Sequence, residues 1–455
     1  MEEDPVSTSP FTYGSAPGAL PGLGHIWPLL RRPTDFLAEL PAYGDLVEIR
    51  LGRTRAYVPC HPELLRQVLA DDRTFDKGGS YYDRARAMAG NGVATCPHRD
   101  HRRQRRLLQP AFQRAQLAKY AEVMEEEIAA LTDSWDDEQV IDAYPVLYAL
   151  SLRTVTRTLF GTHVGEEVVD GIRRSFETAF SGFFRQMFMP PALRRLPLPA
   201  NLRHRRALRH LRGTVERIVA SCPRDGTDRG DLLSVMLASR DEDGGPGLSD
   251  GEIHDQVVTV LAAGTETVAA TLTWAMLLLA RNPGEQEKLR GECAAVLEGR
   301  PARWADVARL PRAERVVEET VRLYPPGWLF TRVATAEAEL AGRTLAAGDT
   351  VVITPAPVHR HPGVYQHARE FDPDRWLADR AAALPRGAFV GFGAGARKCV
   401  GDAYGMTECV IALATLVDRW NIRAEPGADL RPVPLAAFYR PRRLALRLTR
   451  RTEPG

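Results

Sequence analysis

The stretch Gly391-Phe392-Gly393-Ala394-Gly395-Ala396-Arg397-Lys398-Cys399-Val400-Gly401 decides how this chain is read. Three glycines at alternate positions let the backbone bulge and lie close against a flat ligand, because glycine carries no Cβ. An amphipathic run from about Asp402 to Trp420 follows and predicts a helix, with Cys399 where it opens. Free N–H groups and the positive end of a helix dipole favour a thiolate there, and Arg397 and Lys398 add positive charge. A stabilised thiolate in a glycine-rich loop is what a sulfur-ligated haem iron requires. The same stretch also matches a dinucleotide fingerprint, Gly391-x-Gly393-x-x-Ala396 after Ala388-Phe389-Val390. That motif must open a βαβ unit with an acidic residue about 20 positions on. The chain ends at Gly455, and its last part is rich in Pro and Arg, so that reading is set aside.

About 130 residues upstream lies a long apolar run, EIHDQVVTVLAAGTETVAATLTWAMLLLA, which stops at Asn282-Pro283-Gly284. Ser249 and Glu252 before it have capping-box spacing, which predicts a helix start. Between Gln256 and Ala280 the only charge is Glu266. A helix apolar on every side passes through a core. Its one carboxylate is therefore costly unless partnered or protonated. Thr267 follows it, and Gly264 just before leaves room for something bulky against the backbone.

A third element, Glu319-Thr320-Val321-Arg322, has the spacing of a helical ion pair. Glu63/Arg66 and Glu287/Arg290 share that spacing, so it decides nothing alone. Only Glu319 is followed by Leu-Tyr-Pro-Pro-Gly-Trp-Leu-Phe-Thr-Arg, lies 80 residues before Cys399, and has Phe371-Asp372-Pro373-Asp374-Arg375-Trp376 in between.

Together these residues resemble the cytochrome P450 family. The cysteine loop fits F-x-x-G-x-R-x-C-x-G at Phe392, Gly395, Arg397, Cys399 and Gly401; the long helix fits A-G-x-[DE]-T at Ala263, Gly264, Glu266 and Thr267. Glu319, Arg322 and Arg375 fit the family's E-x-x-R helix and the arginine that completes its triad, and His101 and Arg105 precede Gln-Pro-Ala-Phe112 as in its propionate-binding helix. The resemblance implies a mainly α fold with small β-sheets (α+β), with residues 1–16 a flexible arm and 17–455 one haem-thiolate monooxygenase domain. It implies haem b with Cys399 as its axial iron ligand, catalytic roles in proton delivery for Thr267 and Glu266, and propionate contacts from His101, Arg105, Arg332 and Arg397. Phe392, Gly393 and Gly264 would lie against the haem, while Glu319, Arg322 and Arg375 would be structural. Electrons would come from a ferredoxin and its reductase, docked on the thiolate-side face that carries Arg102, Arg103, Arg106 and Lys398.

Composition agrees with one folded domain. The 455 residues are 44% hydrophobic and 26% charged with a formal net charge of +2, which excludes a disordered chain. A chain this long buries about three quarters of its unfolded surface and needs no disulfides. Length alone allows about three domains, but the dividing linkers are missing; residues 222–251 read as a surface connection. Near-neutral charge gives no reason to expect nucleic acid as partner. Of 60 basic residues only four are lysine; most of the arginines read as codon bias, a few as anion contacts. Six scattered cysteines without C-x-x-C spacing fit a reducing compartment. The N-terminus has no signal-peptide pattern and no run of 18 apolar residues exists, so the expectation is a cytoplasmic monomer that spans no membrane. Helical periodicity dominates, with short strand-like runs in DLVEIRLG, RAYVPC, LFTRVA, AELAG and TVVITPA.

The substrate pocket is expected to be apolar. Its walls are Ser80 to Val93, the run Phe180, Phe183, Phe184, Met187 and Phe188, Val257 to Ala262, Trp328-Leu329-Phe330, and Leu435 to Phe438. Arg73 to Gly79, Cys96 to Arg106, Met189 to Pro197 and Leu323 to Arg332 are similar to a sesquiterpene-oxidising branch of the family. That branch takes a hydrocarbon methyl group stepwise to alcohol, aldehyde and acid in antibiotic biosynthesis. Another terpene or a polyketide such as a macrolide remains open as substrate. A peroxide-driven enzyme would not need the Glu266-Thr267 pair, and a non-catalytic haem sensor would not retain it.

Overall fold

The computed structural model describes residues 9–161, 164–189, 191–223, 229–240, 246–434 and 436–451. Eight helices position the site: α1 (Gly79–Ala89), α2 (His98–Leu108), α3 (Arg114–Asp133), α4 (Ala143–Phe160), α5 (Glu166–Ser181), α6 (Asp250–Arg281), α7 (Pro311–Leu323) and α8 (Asp402–Arg419). Helices dominate, with small sheets at the margins, as the α+β expectation has it. The largest sheet has six strands in the order Tyr13–Ser15, Leu46–Leu51, Thr54–Pro59, Thr350–Ile353, Phe330–Ala334 and Phe75–Asp76. A three-stranded sheet joins Trp420–Ala424, Ala445–Arg450 and Gln139–Asp142.

Helix α6 is the axle. Its 32 residues, about 48 Å at 1.5 Å per residue, run unbroken from a reciprocal cap. The Ser249 N–H donates to Glu252 at 2.8 Å, and the Glu252 N–H donates to Ser249 Oγ at 3.3 Å. Pro283 ends it by removing a donor. Its apolar circumference is satisfied by neighbours on every side: α4 along one flank, α7 and α8 on others. Close packing on α4 explains Gly264, because a Cβ there would stand 2.8 Å from Val155 Cγ2. Among the described residues α6 alone is long and apolar enough to cross a membrane, and 78% of its most apolar window is buried inside the protein.

Several local expectations change. The arm over residues 1–16 is docked at its end, since Tyr13–Ser15 pairs in parallel with Leu46–Glu48 and the Thr12 N–H donates to Asp45 at 2.8 Å. Residues 1–8 lie outside the described residues. The α8 helix stops at Arg419, because Trp420 turns into a strand paired with Arg450. The helical run over 170–188 breaks at Gly182 into α5 and a short helix, Phe183–Phe188. Ala388-Phe389-Val390 is not a strand, which removes the β element a dinucleotide motif needs.

Candidate functional site

The glycine-rich loop and α6 face each other across a cavity of about 330 Å³. That lies at the lower end of the 300–1,000 Å³ typical of a small-molecule pocket. Cys399, Phe392, Gly393 and Arg397 line it from the loop, Gly264 and Thr267 from α6, His101 and Arg105 from α2, and Arg332 from the strand Phe330–Ala334. Glu266 is not among its lining residues. Its side chain turns the other way, 4% exposed, with Oε2 accepting a 2.6 Å hydrogen bond from Tyr144 OH. Burial pushes its carboxyl up to about 7, although the Tyr144 bond and Arg440 oppose that.

The loop is held by backbone geometry. Gly393 and Gly395 have φ of +71° and +67°, where a Cβ is disfavoured. At Gly395 a Cβ would also stand 2.3 Å from the Leu69 carbonyl oxygen. The Cys399 N–H donates to the Phe392 carbonyl at 2.8 Å. The loop therefore closes on itself with the cysteine at its end, open to the cavity.

The electrostatics of Cys399 differ from the expectation. It stands three residues before α8, whose N-cap is Gly401. The Lys398 ammonium pairs with Asp402 at 2.6 Å, so its charge is largely committed. Burial is the largest influence and pushes the thiol up; the Gly401 N–H pulls it down, the Asp402 charge raises it again, and Arg105 and Lys398 lower it less. Burial thus favours the thiol, and a bound metal cation would be needed to hold this sulfur as a thiolate.

Part of the cavity lining is strongly cationic. Lys77, which the sequence reading did not single out, is buried there with Nζ donating to Ala94 O at 2.8 Å. Arg332 donates to Tyr82 OH at 3.0 Å, and Arg105 donates to the Lys398 carbonyl at 2.5 Å. Arg397 is already held by Asp72 at 2.7 Å and Asp76 at 3.1 Å, so its fork braces the site as much as it offers charge. Burial, then Arg397, Lys77 and Arg105, depress the His101 imidazole to about 3, so it stays neutral. Burial and the charges of Arg332 and Arg397 likewise lower Lys77 well below the usual lysine range. Cations that depress one another in a buried cavity are arranged for an anionic ligand. A flat ring with two carboxylates at one edge and a metal at its centre, as in haem b, matches this donor set and the glycine loop along the cavity.

Behind the loop lies the buried triad. Glu319 receives Arg322 at 2.8 and 2.7 Å, Arg375 Nε at 3.4 Å, Trp376 Nε1 at 3.0 Å and the Asp372 N–H at 3.1 Å. Arg322 also donates to the carbonyls of His359, Ala368 and Glu370. His359, also missed in the sequence, carries this order to the loop. Its Nδ1 lies 3.1 Å from the Arg322 carbonyl, and its Nε2 accepts from the Val390 N–H at 3.0 Å. Burial and the Arg322 charge depress it to about 3, which suits a neutral ring donating through Nδ1. A lone histidine has no sequence pattern that would reveal this role.

The expected apolar walls are met in part. Tyr82, Val93, Thr259, Val260, Phe330 and Phe438 line the cavity. The run Phe180, Phe183, Phe184 and Met187 does not; Phe184 and Met187 line a separate pocket with Trp328 and Leu329. Phe180 packs on Phe438 at 5.3 Å and Phe183 on Tyr81 at 5.1 Å. The Phe188 side chain and Leu435 lie outside what is described.

A family model described as cytochrome P450 matches residues 17–445. The chain is 56% identical to the pentalenene oxygenase of Streptomyces avermitilis, covering 99% of this chain and all of that one. It is 46% identical to the cyclooctatin synthase of Streptomyces melanosporofaciens, over 94% of each chain. It is 43% identical to the cyclooctat-9-en-7-ol 5-monooxygenase of the same organism, over 92% of each.

Proposed function

The chain belongs to the cytochrome P450 family, and from that premise we propose that it oxidises a terpene hydrocarbon, with pentalenene as substrate and a methyl group as the position attacked. Identity of 56% over the whole length of a pentalenene oxygenase carries this reading. The apolar cavity walls and the two cyclooctatin-pathway relatives support terpene chemistry. Oxidation of the methyl group through alcohol to aldehyde and acid, within antibiotic biosynthesis, is the finer form of the proposal.

Haem held here would supply dioxygen activation, tuned by electron density from a thiolate ligand. The chain's residues do the rest. Cys399 Sγ is the ligand, and the triad, through His359, keeps the loop that carries it in one shape. Lys77, Arg105 and Arg332 hold the propionates with charge-assisted hydrogen bonds, with His101 and the braced Arg397 beside them. Val93, Val260, Phe330 and Phe438 exclude water and orient the hydrocarbon. Thr267 Oγ1 now donates to the Ala263 carbonyl at 2.7 Å. It faces the cavity, where its hydroxyl can hand on a proton that Glu266 supplies from behind.

Electrons come from a ferredoxin and its reductase. Of the residues proposed for that dock, Arg102 is exposed. Arg103 is committed to Glu252 at 2.6 Å and to the Gly247 carbonyl at 2.7 Å. Arg102 therefore contributes more to the encounter rate than Arg103.

Incubation with pentalenene, ferredoxin, reductase and reduced nicotinamide nucleotide is expected to give oxygenated products by mass spectrometry. Recovery of unchanged pentalenene under a competent electron supply overturns this substrate, and a panel of terpenes screened for displacement of the water on ferric iron then identifies the alternative. Thr267→Ala is expected to consume reductant still, while product per electron pair falls at least about tenfold, since a positioned proton donor contributes 10²–10⁴-fold. Peroxide rises in proportion. Unchanged coupling removes Thr267 from proton delivery.

A further inference from the structure

Glu266 and Thr267 are adjacent in sequence but face different neighbours around α6. Thr267 lines the cavity, whereas the Glu266 carboxyl is bound to the Tyr144 phenol on α4. The titratable and charged groups acting on that carboxyl come from α4, α5 and the loop ahead of Pro441–Arg443: Tyr144, Tyr148, Glu177 and Arg440. The Arg440 guanidinium lies 4.3 Å from the centre of the Tyr144 ring. Glu177 has a half-exposed side chain and pairs with Arg173 at 3.1 Å on the outer face of α5. Glu177 is the solvent-facing member of this group and Glu266 its buried one. One peptide further along α6 is the hydroxyl in the cavity. An acid placed this way can take up protons on one side and release them on the other.

We propose that Tyr144 is the positioning residue for Glu266. Its phenol holds the acid against α4 and away from Thr267, where it is reprotonated from solvent. Breaking that one hydrogen bond lets the protonated carboxyl turn toward Thr267. The proton balance is simple: one proton leaves Glu266 for the cavity, one returns from solvent, and Tyr144 keeps its own. Burial pushes the phenol well above the usual tyrosine range, so it acts as a holder and not as a carrier. This inference rests on the monooxygenase reading and deepens it, but it is independent of the substrate.

Tyr144→Phe removes only the hydroxyl and is compared with Glu266→Gln in haem-loaded protein. The first readout is the infrared titration of the Glu266 carboxyl in the ferric enzyme, its band assigned by its loss in Glu266→Gln. A phenol donor favours the ionised carboxylate, so without it the midpoint is expected to rise from about 7 by about one pH unit, the size of one hydrogen bond. The second readout is peroxide released per reductant against pH, with any terpene that shifts the ferric spectrum. Wild-type coupling is expected to fail as pH rises through the carboxyl midpoint. Tyr144→Phe moves that limb upward with the midpoint, and Glu266→Gln abolishes it. The same midpoint and the same coupling profile in Tyr144→Phe as in wild type overturn the proposal. Because the infrared titration needs no substrate, failure of pentalenene turnover leaves this result readable.

Discussion

Cys399→Ala is expected to abolish the red-shifted Soret band of the reduced carbon monoxide complex, with loss essentially complete. The band depends on a thiolate opposite carbon monoxide, and only a sulfur at the right wall can supply it. Two cysteines line the cavity, Cys399 and Cys409. They differ in what their surroundings allow. Cys409 is 2% exposed within α8, and burial, reinforced by Glu408, raises its thiol well above the usual range. Cys399 is open to the cavity at the end of a loop, and the Gly401 N–H, Arg105 and Lys398 partly offset its burial. Cys409→Ala is therefore expected to keep the band. Reduced-minus-oxidised spectra under carbon monoxide decide the matter: a persistent band in Cys399→Ala, or its loss in Cys409→Ala, would falsify the ligand assignment.

How much of this was legible in the sequence depends on whether the signal was local. The α6 helix was, because a capping box, an apolar run and Asn-Pro-Gly all lie on one segment. The cysteine loop was, because its glycines and cysteine are contiguous. The direction in which Glu266 points was not. It is set by Tyr144, 122 residues away, and by which side of α6 meets α4. Lys77 lies in a quoted segment, yet a single lysine does not announce that Arg332 and Arg397 will crowd it. The aromatic run at 180–188 had the right composition for a pocket wall. Composition cannot tell a first layer from a second, and Phe438 stands between Phe180 and the cavity. The charge on Lys398 was counted toward the thiolate, but Asp402, one helical turn on, takes it. Short strands such as Tyr13–Ser15 and Phe75–Asp76 exist only because a distant strand pairs with them.

The three E-x-x-R pairs show the same limit and give the second large prediction. Glu63/Arg66, Glu287/Arg290 and Glu319/Arg322 have one spacing and all form the ion pair. Their side chains differ in exposure: 36% and 44% for the first pair, none for the last. In water an ion pair at helical spacing adds little, because solvent already stabilises both charges. In the core, removing one partner strands the other without solvent, which costs about 3–5 kcal/mol. Arg322 additionally satisfies carbonyls of His359, Ala368 and Glu370, so its loss frees the segment that leads to the cysteine loop. Arg322→Ala is thus expected to lower the thermal midpoint strongly and yield protein with little haem per chain. Arg66→Ala is expected to leave both unchanged. Arg322→Lys keeps the charge but loses the planar fork that reaches Glu319 and the carbonyls together, so it falls between. Thermal unfolding with haem quantified per chain measures all three, and an Arg322→Ala protein as stable and as fully loaded as Arg66→Ala removes the triad from the support of the thiolate loop.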